Sequence, residues 1–262
     1  MLAAIDICLR PTRDCELPHP CAHLVHAAIL DMVRSLDVGV SAYMHEEAQV
    51  KPFTVSTMRN GTDNDGYSLR LAKDSECHIR VTALNRHVFE AVSGPIIAYS
   101  NLFGTIRLNG QEFAIDHAST DKPDGEISSF SELWRDCFSS VIMDFISPTT
   151  FRRKGLNVPL PDPQLVYGSL WQKWQAFSGI DVDEMVYASM IDSLVVSRAD
   201  IHTSIWKFPQ VTLKGFVGNV QFELVKNDST DAKRLFAALS RLAFYSGVGY
   251  KTTMGMGQCR IK

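Results

Sequence analysis

Apolar residues in this 262-residue chain recur in two rhythms that alternate along its length. Leu2 to Leu9 is a short apolar run closed by Pro11 and reads as an interior strand. From Ala22 the spacing turns helical: Ala22, Val25, Ile29, Met32, Val33 and Leu36 recur at three and four and lay one apolar stripe along a helix. A shorter helix is expected over Val40 to Glu47. Three strand-like runs follow, Pro52 to Met58, Tyr67 to Ala72 and His78 to Leu84. Asn60-Gly61 and Asp65-Gly66, which tolerate positive φ, supply the first turn between them. A second helix, Asn85 to Val92, is expected to stop at Gly94-Pro95. Phe103 to Asp116 reads as a hairpin turning at Asn109-Gly110. With the extra short elements set aside, the order is strand, helix, strand, strand, helix, strand, the split βαβ pattern of ferredoxin-like domains.

The stretch Thr120 to Ser129 is polar, holds Pro and Gly, and is the candidate linker. Beyond it the order repeats. Val141 to Ile146 reads as a strand, Pro163 to Phe177 and Asp181 to Met190 as helices, and Leu194 to Trp206 and Gly215 to Leu224 as long strands. A helix over Asp231 to Tyr245 precedes a glycine-rich segment and a last strand. The fold class is therefore α+β: two ferredoxin-like (RRM-like) βαββαβ domains in tandem, residues 1–125 and 126–262, ending in a glycine-rich loop. No residue-level repeat relates the halves.

Hydrophobic residues at 45% and charged ones at 21% are an ordinary globular balance. The net charge of −3 is unevenly split: residues 1–130 carry 11 Lys/Arg against 17 Asp/Glu, and residues 131–262 carry 15 against 12. A polyanion is therefore expected mainly against the second half or in the cleft between the halves. The six cysteines include no Cys-x-x-Cys pair, the start has no signal-peptide pattern, and no apolar run approaches the roughly 20 residues of a membrane span. Reduced thiols, a cytoplasmic setting and no membrane partner are expected.

The segment Gly247 to Lys262 reads GVGYKTTMGMGQCRIK, with Gly247 and Gly249, then five residues, then Gly255 and Gly257. Glycine tolerates positive φ and lets bare backbone approach a ligand, so successive N–H groups can form an anion nest. Lys251 and two threonines sit at its centre. It is not a dinucleotide fingerprint, which opens a helix inside a βαβ unit, nor a triphosphate loop, which ends in Gly-Lys-Ser/Thr. The competing reading is a structural hairpin entering the last strand. A second basic feature is Arg152-Arg153-Lys154, a grip for phosphates or a solubilising turn. Phe151, Tyr167, Trp171, Trp174 and Phe177 read as core packing.

Histidines crowd the first helix (His19, His23, His26), and His45 sits on the next. Cys15, His19, Cys21 and His23 match no common zinc spacing, and no metal or other cofactor is assigned. His26 borders the apolar stripe, and His45 is followed by Lys51. Two imidazoles and a lysine suit metal-free RNA cleavage: one imidazole takes the 2′-OH proton, the other protonates the departing 5′ oxygen, and the lysine stabilises charge on phosphorus. The residues do not say which imidazole is base and which acid.

Three passages together resemble a known family: HAAIL with AYMHEEAQVKPFTVS (residues 26–30 and 42–56), FISPTTFRRKG through PLPDPQLVYGSLWQKW (145–174), and GFVGNVQFEL through GVGYKTTMGMG (215–257). They resemble the CRISPR-associated Cas-six endoribonucleases of the repeat-associated mysterious protein superfamily. The resemblance implies two ferredoxin-like domains that bind the repeat of the CRISPR precursor RNA. It implies one metal-free cut per repeat, leaving a 2′,3′-cyclic phosphate. It places a catalytic histidine at His45 and, as in several bacterial members, a second at His26. Lys51 matches a lysine of archaeal relatives only approximately, and Leu30 stands where those relatives carry tyrosine, which favours a two-histidine site. RNA backbone contacts are implied at Arg152, Arg153, Lys154, Gly247, Gly249, Lys251, Gly255 and Gly257. A catalytically weak repeat-binding subunit of an effector complex is the alternative, motivated by the acidic first half. Association with other effector subunits or a second copy is left open.

Overall fold

A computed structural model describes residues 1–46, 50–63, 67–101, 104–121 and 125–262. Glu47, the Asp65-Gly66 half of the first turn, Phe103 at the start of the expected hairpin, and positions 122–124 of the candidate linker lie outside the described residues. Contacts divide the chain into two compact units, Met1–Ile127 with Thr253–Gly255, and Ser128–Thr252 with Met256–Lys262. The tip of the glycine-rich segment thus belongs to the first unit.

The first unit runs β1 (Leu2–Pro11), β2 (Cys15–Pro18), α1 (Ala22–Leu36), α2 (Val38–His45), β3 (Phe53–Val55), β4 (Thr62–Asp63), β5 (Ser68–Leu71), β6 (Cys77–Ala83), α3 (Arg86–Asn101), β7 (Thr105–Leu108), β8 (Gln111–Ser119) and β9 (Glu126–Ser128). Its main sheet has the order β3-β6-β1-β8-β7, with β9 added to β1; β2, β5 and β4 form a small sheet. The first strand lies between the strands that follow the two crossovers, and the pairs are antiparallel, as in a ferredoxin-like fold. Ile5, Ile7 and Leu9 are buried on alternate positions of β1. α1 and α3 pack on each other and on the sheet strands.

α3 departs from expectation: it continues through Gly94-Pro95 to Asn101. Proline in a helix interior costs about 3 kcal/mol. Here Val88, Val92, Pro95 and Ile96 are all buried, and that tertiary burial carries the helix past its breaker. The helix begins where Asn85 accepts a hydrogen bond from the Val88 amide at 2.8 Å. The Asn109-Gly110 turn forms with φ of 51° and 75° at its two residues.

The second unit contains α4 (Phe130–Leu133), β10 (Ser140–Thr149), β11 (Phe151–Arg153), β12 (Leu156–Val158), α5 (Pro163–Phe177), α6 (Glu184–Asp192), β13 (Leu194–Lys207), β14 (Thr212–Leu224), α7 (Thr230–Ser246) and β15 (Cys259–Ile261). Its sheet order, β13-β14-β10-β15, is again ferredoxin-like and antiparallel. α5 starts as its sequence dictates: Asp162 accepts from the Gln164 amide at 2.8 Å, and Pro163 occupies the first helical position. At the centre Tyr167 stacks on Phe236 and meets Phe222 edge to face, with the Tyr167 hydroxyl 2.8 Å from Ser240 Oγ. Phe151, Tyr167, Trp171 and Trp174 are buried, so they belong to the core, while Phe177 is partly exposed.

Candidate active site and nucleic-acid interface

α1 and α2 form a helical hairpin, and its geometry is set locally. Asp37 ends α1 by donating its amide to the Val33 carbonyl and starts α2 by accepting from the Val40 amide. Ser41 Oγ then donates to the Leu30 carbonyl at 3.1 Å and straps α2 to α1. On α1, residues 23, 26, 30 and 34 share one face because they are three or four apart. On α2, Ser41 and His45 do the same.

These faces line a pocket of about 1300 Å³. His23, His26, Leu30 and Arg34 contribute from α1, Ser41, Tyr43 and His45 from α2, and Met254 from the glycine-rich segment. The structure therefore brings together His26 and His45. The His26 ring is stacked on the buried Phe53 ring at a centroid distance of 5.5 Å and an angle of 14°. His45 is exposed in the last turn of α2. Burial holds the pKa of His23 below the ordinary imidazole value, which favours its neutral form.

Lys51 does not line this pocket. Its ammonium donates to the carbonyls of Met44 (3.2 Å) and Glu46 (2.6 Å), carbonyls that a helix end leaves without helical partners. Lys51 thus pins the chain on either side of His45. Arg34 and Tyr43 were missed by sequence reasoning. Arg34 sits one turn-pair beyond His26 on the same face, a signal that helical spacing carried. Tyr43, which meets Asn85 Nδ2 at 3.4 Å, had no such signal.

Among the described residues, Cys15, His19, Cys21 and His23 form no grouping of metal-ligand atoms. Cys21 Sγ is engaged with Thr57 Oγ1 at 3.4 Å and with the Met58 amide. Among the described residues, ligand-like grouping occurs at Cys8, Asp116 and His117. Asp116 there is bound by Arg10 and His117, and burial, the largest effect, pushes the Cys8 thiol up to about 11. Such a thiol is a poor source of the thiolate a metal needs.

The four glycines of the C-terminal segment, Gly247, Gly249, Gly255 and Gly257, all have positive φ, from 61° to 85°. Three of their amides are spent inside the protein. Gly247 N donates to Ala243 O, Gly249 N to Ser169 Oγ and Gly257 N to Pro148 O. A Cβ at Gly257 would collide with the Val248 carbonyl, and one at Gly249 with the Thr150 carbonyl. At these three positions glycine shapes the loop's path; an open nest of amides is not formed there. Lys173, buried between Trp171 and Trp174, anchors the loop's entry by donating to the carbonyls of Ser246 (2.7 Å) and Gly247 (2.8 Å).

The basic cluster is resolved by a hairpin. β11 and β12 pair through Arg153↔Leu156, and Lys154-Gly155 turn between them with φ of 49° and 81°. Neighbouring strand residues face opposite ways, so Arg152 and Arg153 do not act on one side. The Arg152 guanidinium lies 5.7 Å from the centre of the Tyr250 ring, and Lys251 Nζ lies 5.4 Å from the same ring.

A family model described as CRISPR-associated endoribonuclease Cas6 matches residues 143–259. A Mycobacterium tuberculosis protein of that description is 28% identical over 186 residues, 70% of this chain but only 58% of its own length. A Streptococcus thermophilus protein of the same description is 22% identical over 251 residues, 94% of this chain and 95% of its own. Among solved structures, a Cas6 product complex superimposes with a TM-score of 0.83 at 24% identity, covering 100% of both chains. At that identity the superposition speaks for the fold: tandem ferredoxin-like domains.

Proposed function

We propose that the chain is a member of the CRISPR-associated Cas6 family, an endoribonuclease that binds CRISPR repeat RNA and cuts it once per repeat without metal. The observation that carries the reading is the shared pocket: two imidazoles from two helices, with a residue of the glycine-rich segment in the same wall. One of His26 and His45 takes the proton from a ribose 2′-OH. The oxygen forms a bond to the adjacent phosphorus, the bond from phosphorus to the 5′ oxygen breaks, and the other imidazole protonates that oxygen. The products are a 2′,3′-cyclic phosphate and a free 5′-hydroxyl. Arg34 supplies a cation within the pocket, and Lys51 keeps the His45 turn in place. Residues 126–262 supply backbone contacts through Arg152, Arg153, Lys154 and Lys251.

Incubating the protein with its repeat RNA in excess chelator tests this. One cut per repeat is expected, with the rate reduced by a factor of at least about 10² in His26→Ala and His45→Ala, each imidazole contributing a general acid–base effect. Unchanged cutting by the double variant rejects the assignment. The acidic balance of the first half favours a second reading, a repeat-binding subunit with little activity. Tight binding with no cut under any of these conditions supports it.

A further inference from the structure

Arg152, Tyr250 and Lys251 are brought together by backbone, not by chance contact of mobile side chains. Tyr250 N donates to the Thr150 carbonyl at 2.8 Å, which ties the loop to the residues just before Arg152. Gly249 makes this approach possible. A Cβ there would meet the Thr150 carbonyl and lie 3.1 Å from the Phe151 ring. Lys251 itself adopts φ of 57°, a left-handed conformation uncommon for a residue with a side chain and found where surroundings impose it. Its ammonium then sits between two rings, 5.0 Å from the centre of Phe208 and 5.4 Å from that of Tyr250. Phe208 comes from the turn between β13 and β14.

Two cations therefore share one aromatic ring. Among the described residues no carboxylate forms an ion pair with either of them, although surface arginines elsewhere, such as Arg10, Arg107 and Arg241, do find acids. Like charges held together by ring faces and backbone, without an acid, form a site prepared for an anion. We propose that Arg152, Tyr250 and Lys251 form one binding site for a backbone phosphate of the RNA, in which the Tyr250 ring is the positioning residue that sets the two cations and Phe208 steadies Lys251. The site reads phosphate, so it acts on repeat and unrelated RNA alike. This rests on the RNA-binding reading above and assigns a role to two aromatic residues that carry no charge.

The test is equilibrium binding of the full chain to a fluorescent repeat RNA and to an unrelated RNA of equal length, each at several salt concentrations. The repeat RNA carries a 2′-deoxynucleotide at the cut position so that it stays intact. Arg152→Ala and Lys251→Ala are each expected to weaken binding to both RNAs and to shallow the slope of log affinity against log salt by about 0.7, the value for one single-strand phosphate contact. The double variant is expected to lose less than the product of the two single losses, because both cations serve one phosphate. Tyr250→Leu, which changes no charge, is expected to weaken binding several-fold, and Tyr250→Phe to leave it intact. Multiplicative losses in the double variant, or wild-type affinity in Tyr250→Leu with its fold intact by circular dichroism, overturn the shared site. Failure of the wild-type chain to bind either RNA overturns the RNA-binding reading instead.

Discussion

Replacing Lys173 by Met removes an ammonium that the second unit buries with two carbonyl acceptors, those of Ser246 and Gly247. Burial pushes the pKa of this amine down from 10.5 to about 7. The unfolded chain keeps the ordinary value, so between pH 7 and 10.5 it binds more protons than the folded chain. Stability must then rise with pH across that window. With 1.36 kcal/mol per pKa unit, the gain from pH 7 to pH 9 is about 2 kcal/mol. Lys173→Met loses this dependence. In the variant Gly247 O keeps the Ser246 hydroxyl at 2.9 Å, whereas Ser246 O loses its ammonium donor, a loss of about 1–3 kcal/mol. At pH 7 relief from burying a charge offsets that loss, so variant and wild type should be close; at pH 9 the wild type should lead. The assay is urea unfolding followed by tryptophan fluorescence. Trp134, Trp171, Trp174 and Trp206 all lie in the second unit, so the signal reports the unit that holds Lys173. Parallel pH dependences for the two proteins would refute the reasoning.

Two further outcomes are expected. Gly257→Ala should destabilise the second unit by more than about 2 kcal/mol, because its φ of 70° disfavours a side chain and the new Cβ strikes the Val248 carbonyl. Gly155→Ala, with φ of 81° but open space around it, should cost only about 1 kcal/mol in the same urea titration, and equal costs would contradict the packing argument. Lys51→Met should slow RNA cleavage about tenfold or more by loosening the turn that carries His45. It should leave the salt dependence of RNA binding unchanged; a shallower slope would mean that Lys51 touches phosphate.

Much of the fold was legible in residue spacing. α5 begins at Pro163 and ends at Phe177 as read, because Asp162-Pro163 is a strong start signal and the apolar spacing is sustained. α3 runs past its expected end because a local breaker, Gly94-Pro95, yields to burial of Pro95 and Ile96, which sequence rhythm does not weigh. At the site, His26 stands out from its place beside the apolar stripe and His45 from the Lys51 that follows it, and both line one pocket. What could not be read was where donors are spent. Glycine spacing announced positive φ correctly, yet three of those amides bond inward. Three consecutive basic residues looked like one patch until strand alternation separated Arg152 from Arg153. Lys173 reads as an ordinary polar helix position, and only packing between α5 and the end of α7 reveals it as a buried anchor. For Gly249, Gly257 and Lys173 the missed partner is distant in sequence.

The central claim is that a ribose 2′-OH is the nucleophile at the His26 and His45 pocket. Its most direct measurement is single-turnover cleavage, in chelator, of a repeat RNA bearing one 2′-deoxynucleotide at the mapped cut position, compared with the all-ribose RNA. The all-ribose RNA should be cut to a product whose mass carries a 2′,3′-cyclic phosphate, while the substituted RNA binds equally well and stays whole. Cleavage of the substituted RNA at the same position and rate would contradict it.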